Sequence, residues 1–231
     1  MAKLHAVSYK IVGLEKFGRT GGYYTRQMKT LKTISEAQAA VTNIKTREKV
    51  GEVPHFYQLL EWFTKNLPND RSAIVHGDYK LDNMVFIQLS RVYLQVFHPT
   101  ELKVIGLLDW ELSTIGHPLS DLANLVQPLQ LSIEASFVPP SPNGGFPHLH
   151  DVLRWYQAEA GWDPLPEFPF ADAFCLWRTS IIAQGIAARY ARGQASSSEA
   201  QSYGQKMFPL GELAWKTVEE YENSQSTKPK L

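Results

Sequence analysis

The stretch "IVHGDYKLDN" (Ile74–Asn83) reads as a short buried strand that opens straight into a loop crowded with polar groups. His76, Asp78, Lys80 and Asn83 crowd that loop, and a plain surface turn has no need of so many hydrogen-bonding side chains. About twenty residues on, "VIGLLDWELSTIGHPLSDLANL" (Val104–Leu125) repeats the pattern: an apolar strand ends on Asp109, followed by Trp110 and Glu111. Asp78 and Asn83 stand five residues apart in a loop entered from one strand and left by another. If the later two strands pair as a hairpin, its open end brings Asn83 beside Asp109. An amide oxygen and a carboxylate are both hard ligands, the donor set that Mg²⁺ takes alongside water and phosphate oxygens. A carboxylate at the start of the same loop can accept the proton of an attacking hydroxyl.

Each residue also has a plainer reading. Asp78 and Asn83 could be turn formers that bond their own backbone. His76 could be a base or a ligand, and is read as a structural residue packing the loop; His117, in the turn before Pro118, is read likewise. Asp121 could complement a helix dipole in the first turn after Pro118, or receive backbone N–H groups from the loop. Lys80 could meet a phosphate or stay solvated.

Outward from these loops the chain is ordinary. Its 231 residues are 44% hydrophobic and 20% charged, enough to bury a sizeable core. Lysines and arginines number 23 and acidic residues 23, a balance that argues against a protein built to coat nucleic acid or an anionic membrane. The partner expected is a small-molecule substrate, with oligomeric state left open. The single cysteine, Cys175, falls in an apolar helical pattern and reads as a core thiol suited to a reducing compartment. "MAKLHAVSYK" lacks a signal peptide's apolar region, and no window approaches the roughly 20 apolar residues of a membrane span. A cytoplasmic protein is expected.

Helical periodicity marks "YYTRQMKTLKTISEAQAAV", "VPHFYQLLEWFTKNL", Leu149 to Ala160, Phe170 to Arg192, and a last helix around Ser198 to Tyr221. Strands are expected in "SAIVH", "NMVFIQL", "RVYLQVF" and "LKVIGLLDW". The glycines of "VGLEKFGRTGGYY" match no nucleotide fingerprint and read as a loop. A few strands among many helices make an α+β pattern.

At the two polar stretches the chain resembles the aminoglycoside phosphotransferase family, small-molecule kinases with a protein-kinase-like fold. "HGDYKLDN" matches that family's catalytic loop and "GLLDWE" its metal-binding strand end. The longer "LLDWELSTIGHPLSDLA", with "KLHAV" and "IAQGIAARY", is similar to kinase-like domains related to the acyl-CoA dehydrogenase ten and eleven class.

The resemblance implies a mostly helical C-terminal lobe with a small β-hairpin region over residues 1–222, and the polar run "NSQSTKPKL" over 223–231 reads by composition as a disordered tail. It further implies Asp78 as catalytic base, Asn83 and Asp109 as Mg²⁺ ligands, ATP as co-substrate, Asp121 as the loop brace, and Glu111 as an accompanying acid. The acceptor implied is a hydroxylated metabolite such as a hydroxyacyl-CoA. The family's N-terminal lobe, with its glycine-rich strand pair and lysine, has no counterpart before Met1, so weak turnover or a non-catalytic binding module is the alternative expectation. A metal-dependent phosphohydrolase using His76, Asp78 and Asp109 is a further one. "IQLSRVYLQVF" (Ile87–Phe97) reads as an insertion within the hairpin.

Overall fold

A computed structural model of the chain describes residues 1–86, 104–131 and 147–226. A one-turn helix α1 (Ala2–His5) leads through turns to α2 (Tyr23–Ala39) and α3 (Phe56–Lys65). The strands follow: β1 (Ala73–Val75), β2 (Met84–Phe86), β3 (Val104–Leu107) and β4 (Thr114–Gly116). Helices complete the chain: α4 (Leu119–Gln130), α5 (Leu149–Ala160), α6 (Phe168–Ala191), α7 (Ala200–Gln205) and α8 (Met207–Ser226).

The expected α+β class holds, and the strands form two separate antiparallel ribbons rather than one cluster. One pairs β1 with β4, Ala73 facing Gly116 and Val75 facing Thr114. The other pairs β2 with β3, Met84 facing Leu107, with a register shift between Val85 and Phe86. The later strands do form the expected antiparallel pair. β4 was hidden in the sequence because "TIG" is three residues long, too short to show alternation. The insertion read at 87–97 and the strand read in "RVYLQVF" lie outside the described residues.

Helix α6 is the axis of the fold. Buried residues occur on every side of it, the mark of a helix surrounded by protein. Against one side pack α2, α3 and α8, through Tyr24, Leu31, Leu59, Phe63, Trp177 and Leu210. Phe63 and Trp177 are wholly buried, and the rings of Tyr24 and Phe63 each meet Phe170 and Phe174 edge to face at 4.8–5.3 Å. The other side takes α4 and α5 through Leu119, Leu122, Val126, Leu153 and Tyr156, with Cys175 buried among them. Burial pushes the Cys175 thiol up to about 11, consistent with a core thiol.

Two helical boundaries differ from the sequence reading. The last helix breaks at Lys206 into α7 and α8, because Pro209 in the first turn of α8 has no N–H to continue a helix from α7. Helix α8 then runs to Ser226, so residues 223–226 of the expected tail are helical. The glycines of "GRTGG" are structural. Gly21 and Gly22 adopt left-handed backbone, and Asp70 receives the Gly22 N–H at 3.1 Å at the start of α2. Among the described residues no helix is long and apolar enough to cross a membrane.

Candidate active site

The two ribbons meet where the polar stretches lie. Strand β1 runs out at Val75 into the loop His76–Lys80, a single 3₁₀ turn (Leu81–Asn83) follows, and β2 leaves. Strand β3 ends at Leu107; Asp109 and a second 3₁₀ turn (Trp110–Leu112) come next, and β4 returns to pair with β1.

Leu108 is the clamp between them. Its N–H donates to the Asn83 carbonyl at 2.9 Å, and its own carbonyl accepts from His76 Nε2 at 2.8 Å. Asp109 is therefore held one residue from Asn83's backbone partner, as the hairpin argument requires. It takes a left-handed backbone (φ 61°), and its carboxylate is exposed with no hydrogen-bond or ion-pair partner among the described residues.

Asp78 is the best-furnished carboxylate in the loop. Oδ2 accepts from Lys80 Nζ at 2.8 Å and Asn83 Nδ2 at 3.0 Å, while Oδ1 meets only Asn124 Nδ2 at 3.4 Å. Burial pushes its pKa up, but the hydrogen bond and charge of Lys80, with the Asn83 and Asn124 amides, outweigh that and hold it below the usual carboxylate range. Asn83 also donates to the Asp78 carbonyl at 2.9 Å. Its NH₂ is thus spent inside the loop, which leaves Oδ1 as its free ligand atom.

Asp121 is wholly buried at the start of α4 and accepts the backbone N–H of His76 at 2.7 Å and of Gly77 at 2.9 Å. It stands in the first turn of α4 and also receives the loop N–H groups, so the geometry of both readings is present. His76 is buried, with Nε2 given to Leu108 and Nδ1 facing the Asp78 N–H at 3.3 Å. Neither nitrogen is left for a metal, which removes the support for the phosphohydrolase alternative. His117 is likewise structural, bonded at Nε2 to the Asn69 carbonyl. Glu111 is exposed and makes no hydrogen bond or ion pair among the described residues.

The sequence reading missed three residues. His5, on α1, gives Nε2 to Asp121 at 3.2 Å and Nδ1 to the Tyr156 hydroxyl at 2.8 Å, completing the brace from the chain's start. Nothing in "KLHAV" marks it. Asn124 carried a signal: it stands three residues after Asp121, on the same face of α4. Arg178, which holds Asn124 from α6, carried none.

Gly77 shows how tightly the loop is set. Its φ is +86°, and an added Cβ would strike the Leu112 carbonyl. Gly77→Ala is expected to cost about 1–3 kcal/mol, read as a fall in the urea midpoint with an unchanged slope. A midpoint equal to wild type would show the loop to be slack.

Asn83 Oδ1 and the Asp109 carboxylate are both hard oxygen donors, the chemistry that Mg²⁺ takes where water and phosphate complete its shell. Among the described residues no group of three or more His, Cys, Asp or Glu converges on one point, so a fully protein-caged metal is not indicated there.

The model of the phosphotransferase enzyme family matches residues 1–168. Mouse acyl-CoA dehydrogenase family member 10 is 32% identical over 93% of this chain and 19% of its own length. Mouse acyl-CoA dehydrogenase family member 11 is 35% identical over 92% of this chain and 25% of its own. The chain thus spans a quarter or less of these curated relatives. A solved structure from Ralstonia eutropha JMP134, provisionally assigned as an aminoglycoside phosphotransferase, superposes with a TM-score of 0.76 at 29% identity, covering 95% of this chain and 62% of that one.

Proposed function

This chain belongs to the phosphotransferase enzyme family, and on that premise we propose that it is a Mg-ATP-dependent kinase of a small hydroxylated metabolite. The observation that carries the reading is the division of labour around Asp78. One oxygen is saturated by Lys80 and Asn83, and the other meets only a long amide contact. A carboxylate held ionised with one oxygen so lightly engaged is poised to take a proton.

In this mechanism the acceptor hydroxyl lies against Asp78 Oδ1. As its oxygen bonds to the γ-phosphorus, its proton passes to Asp78, and the bond from phosphorus to the β–γ bridging oxygen breaks to release ADP. Asn83 and Asp109 would hold Mg²⁺, which neutralises charge on the phosphate oxygens when bound. Lys80, already on Asp78, keeps that carboxylate ionised and presents a cation on the same side of the loop. His76 and Leu108 keep the two ligand-bearing segments in register.

The acceptor proposed is a hydroxyacyl-CoA. Its support is the recurrence of acyl-CoA dehydrogenases among the relatives, proteins far longer than this chain. The test offers Mg-ATP with a hydroxyacyl-CoA, a free hydroxy acid and an aminoglycoside, and follows ADP release with the mass of the product. Transfer to the hydroxyacyl-CoA supports the full reading, and transfer only to another alcohol keeps the kinase and removes the acceptor. ATP left untouched with all three favours a non-catalytic binding module.

A further inference from the structure

The asymmetry at Asp78 traces to a residue on a distant helix. Asn124 is 8% exposed and uses both ends of its amide. Nδ2 donates to the Tyr79 carbonyl at 3.2 Å and reaches Asp78 Oδ1 at 3.4 Å, while its Oδ1 accepts from Arg178 Nη2 at 2.8 Å. The two ends of an asparagine amide are nearly equal in shape, so packing alone does not choose which end faces the carboxylate. A guanidinium does choose, because it has donors and no acceptor, and the Tyr79 carbonyl chooses the same way from the other end. Between them the amide turns its oxygen to Arg178 and its NH₂ toward Tyr79 and Asp78.

Arg178 is half-buried, and among the described residues its guanidinium makes one hydrogen bond, to Asn124, with Nε unpartnered. Burial opposes its charge, and the nearby Cys175, Tyr23, Asp78 and Asp121 groups favour it. Its one directed contact is thus spent on the Asn124 amide.

We propose that Arg178 is a positioning residue: it locks the Asn124 amide so that Nδ2 faces Asp78, and so aims Asp78 Oδ1 at the acceptor hydroxyl. The inference rests on the reading of Asp78 as the base. Removing the guanidinium takes the charged partner from the amide oxygen, so Asn124 is held by the Tyr79 carbonyl and its Nδ2 is no longer pressed toward Asp78 Oδ1. Misplacement of about an ångström at a reacting group costs on the order of a hundredfold in rate.

The experiment compares the full chain with Arg178→Met, Asn124→Leu and the double variant, by crystal structure and by Mg-ATP-dependent turnover. In Arg178→Met the Asn124 amide is expected to shift and the Asp78 carboxylate to leave its present orientation. Turnover is expected to fall roughly tenfold to a hundredfold in kcat at unchanged KM for ATP. Because Arg178 acts through Asn124, the double variant should be no slower than Asn124→Leu alone. Asn124 and Asp78 unmoved in Arg178→Met, or losses that multiply in the double variant, overturn the relay. If Arg178→Met does not fold, an unmoved Asp78 in Asn124→Leu overturns it equally. Crystal structures that shift as expected in a chain that transfers no phosphoryl group keep the relay and remove the base, so the two failures are distinct.

Discussion

Asp78→Asn is expected to lower phosphoryl transfer by about 10²–10⁴-fold, the usual contribution of a positioned general base, while the protein stays folded. The two effects separate because of where the side chain sits. Its ion pair with Lys80 is partly exposed on both sides, and exposed pairs contribute roughly 0–1 kcal/mol. An asparagine keeps the shape and still offers an oxygen to Lys80, but it cannot accept the acceptor's proton. The pH profile gives a second check. Burial opposes the charge, but Lys80 and the two amides hold the Asp78 pKa below the ordinary carboxylate range, so the acidic limb of kcat/KM should lie below that of an ordinary aspartate. The sign for stability follows from the same depression: Asp78's contribution is present above its unfolded pKa and is lost as pH falls through the folded one. Lys80→Met should move the acidic limb to higher pH. An unchanged rate in Asp78→Asn would end the kinase reading at this carboxylate.

What could be read from the sequence was whatever lies within one loop or one helical period. The strand leading into His76, the five-residue spacing of Asp78 and Asn83, and the strand ending before Asp109 are local patterns, and the β2–β3 pairing sets Leu108, next to Asp109, against the Asn83 carbonyl. Helices α2, α3, α5 and α6 followed from apolar periodicity for the same reason. The partners of the residues that tune the site were not legible, because they lie far along the chain. His5 reaches Asp121 across 116 residues, Asn124 reaches Asp78 across 46, and Arg178 reaches Asn124 across 54. A histidine or arginine inside an apolar helical pattern has no local signature of the carboxylate or amide it will meet. Lys80 was visible but ambiguous: only the fold shows it turned back onto Asp78 rather than out to solvent.

Asp121→Ala is expected to be the most destabilising single change, at about 3–5 kcal/mol, the usual cost of removing one partner from a buried charged cluster. The carboxylate is wholly buried and accepts from three donors: the His76 and Gly77 N–H groups and His5 Nε2. Alanine leaves all three without an acceptor in a place water does not reach, and each orphaned donor costs about 1–3 kcal/mol before the structure relaxes. For a chain of this size a loss of 1 kcal/mol lowers the melting temperature by roughly 2–4 °C. Asp121→Asn should fall between, since its oxygen still takes one N–H while its NH₂ is forced against another donor. Stability alone does not separate a brace from a merely buried acid, so the sharper readout is local. Hydrogen exchange at His76 and Gly77 should accelerate in both variants beyond what the change in global stability accounts for, because these two amides lose their acceptor directly. His5→Ala removes one donor and leaves the carboxylate on both loop amides, so it should destabilise the protein less and leave the His76 and Gly77 amides protected. Loss of that protection in His5→Ala, matching Asp121→Ala, would show instead that α1 and the loop stand or fall together, with no separate role for the carboxylate.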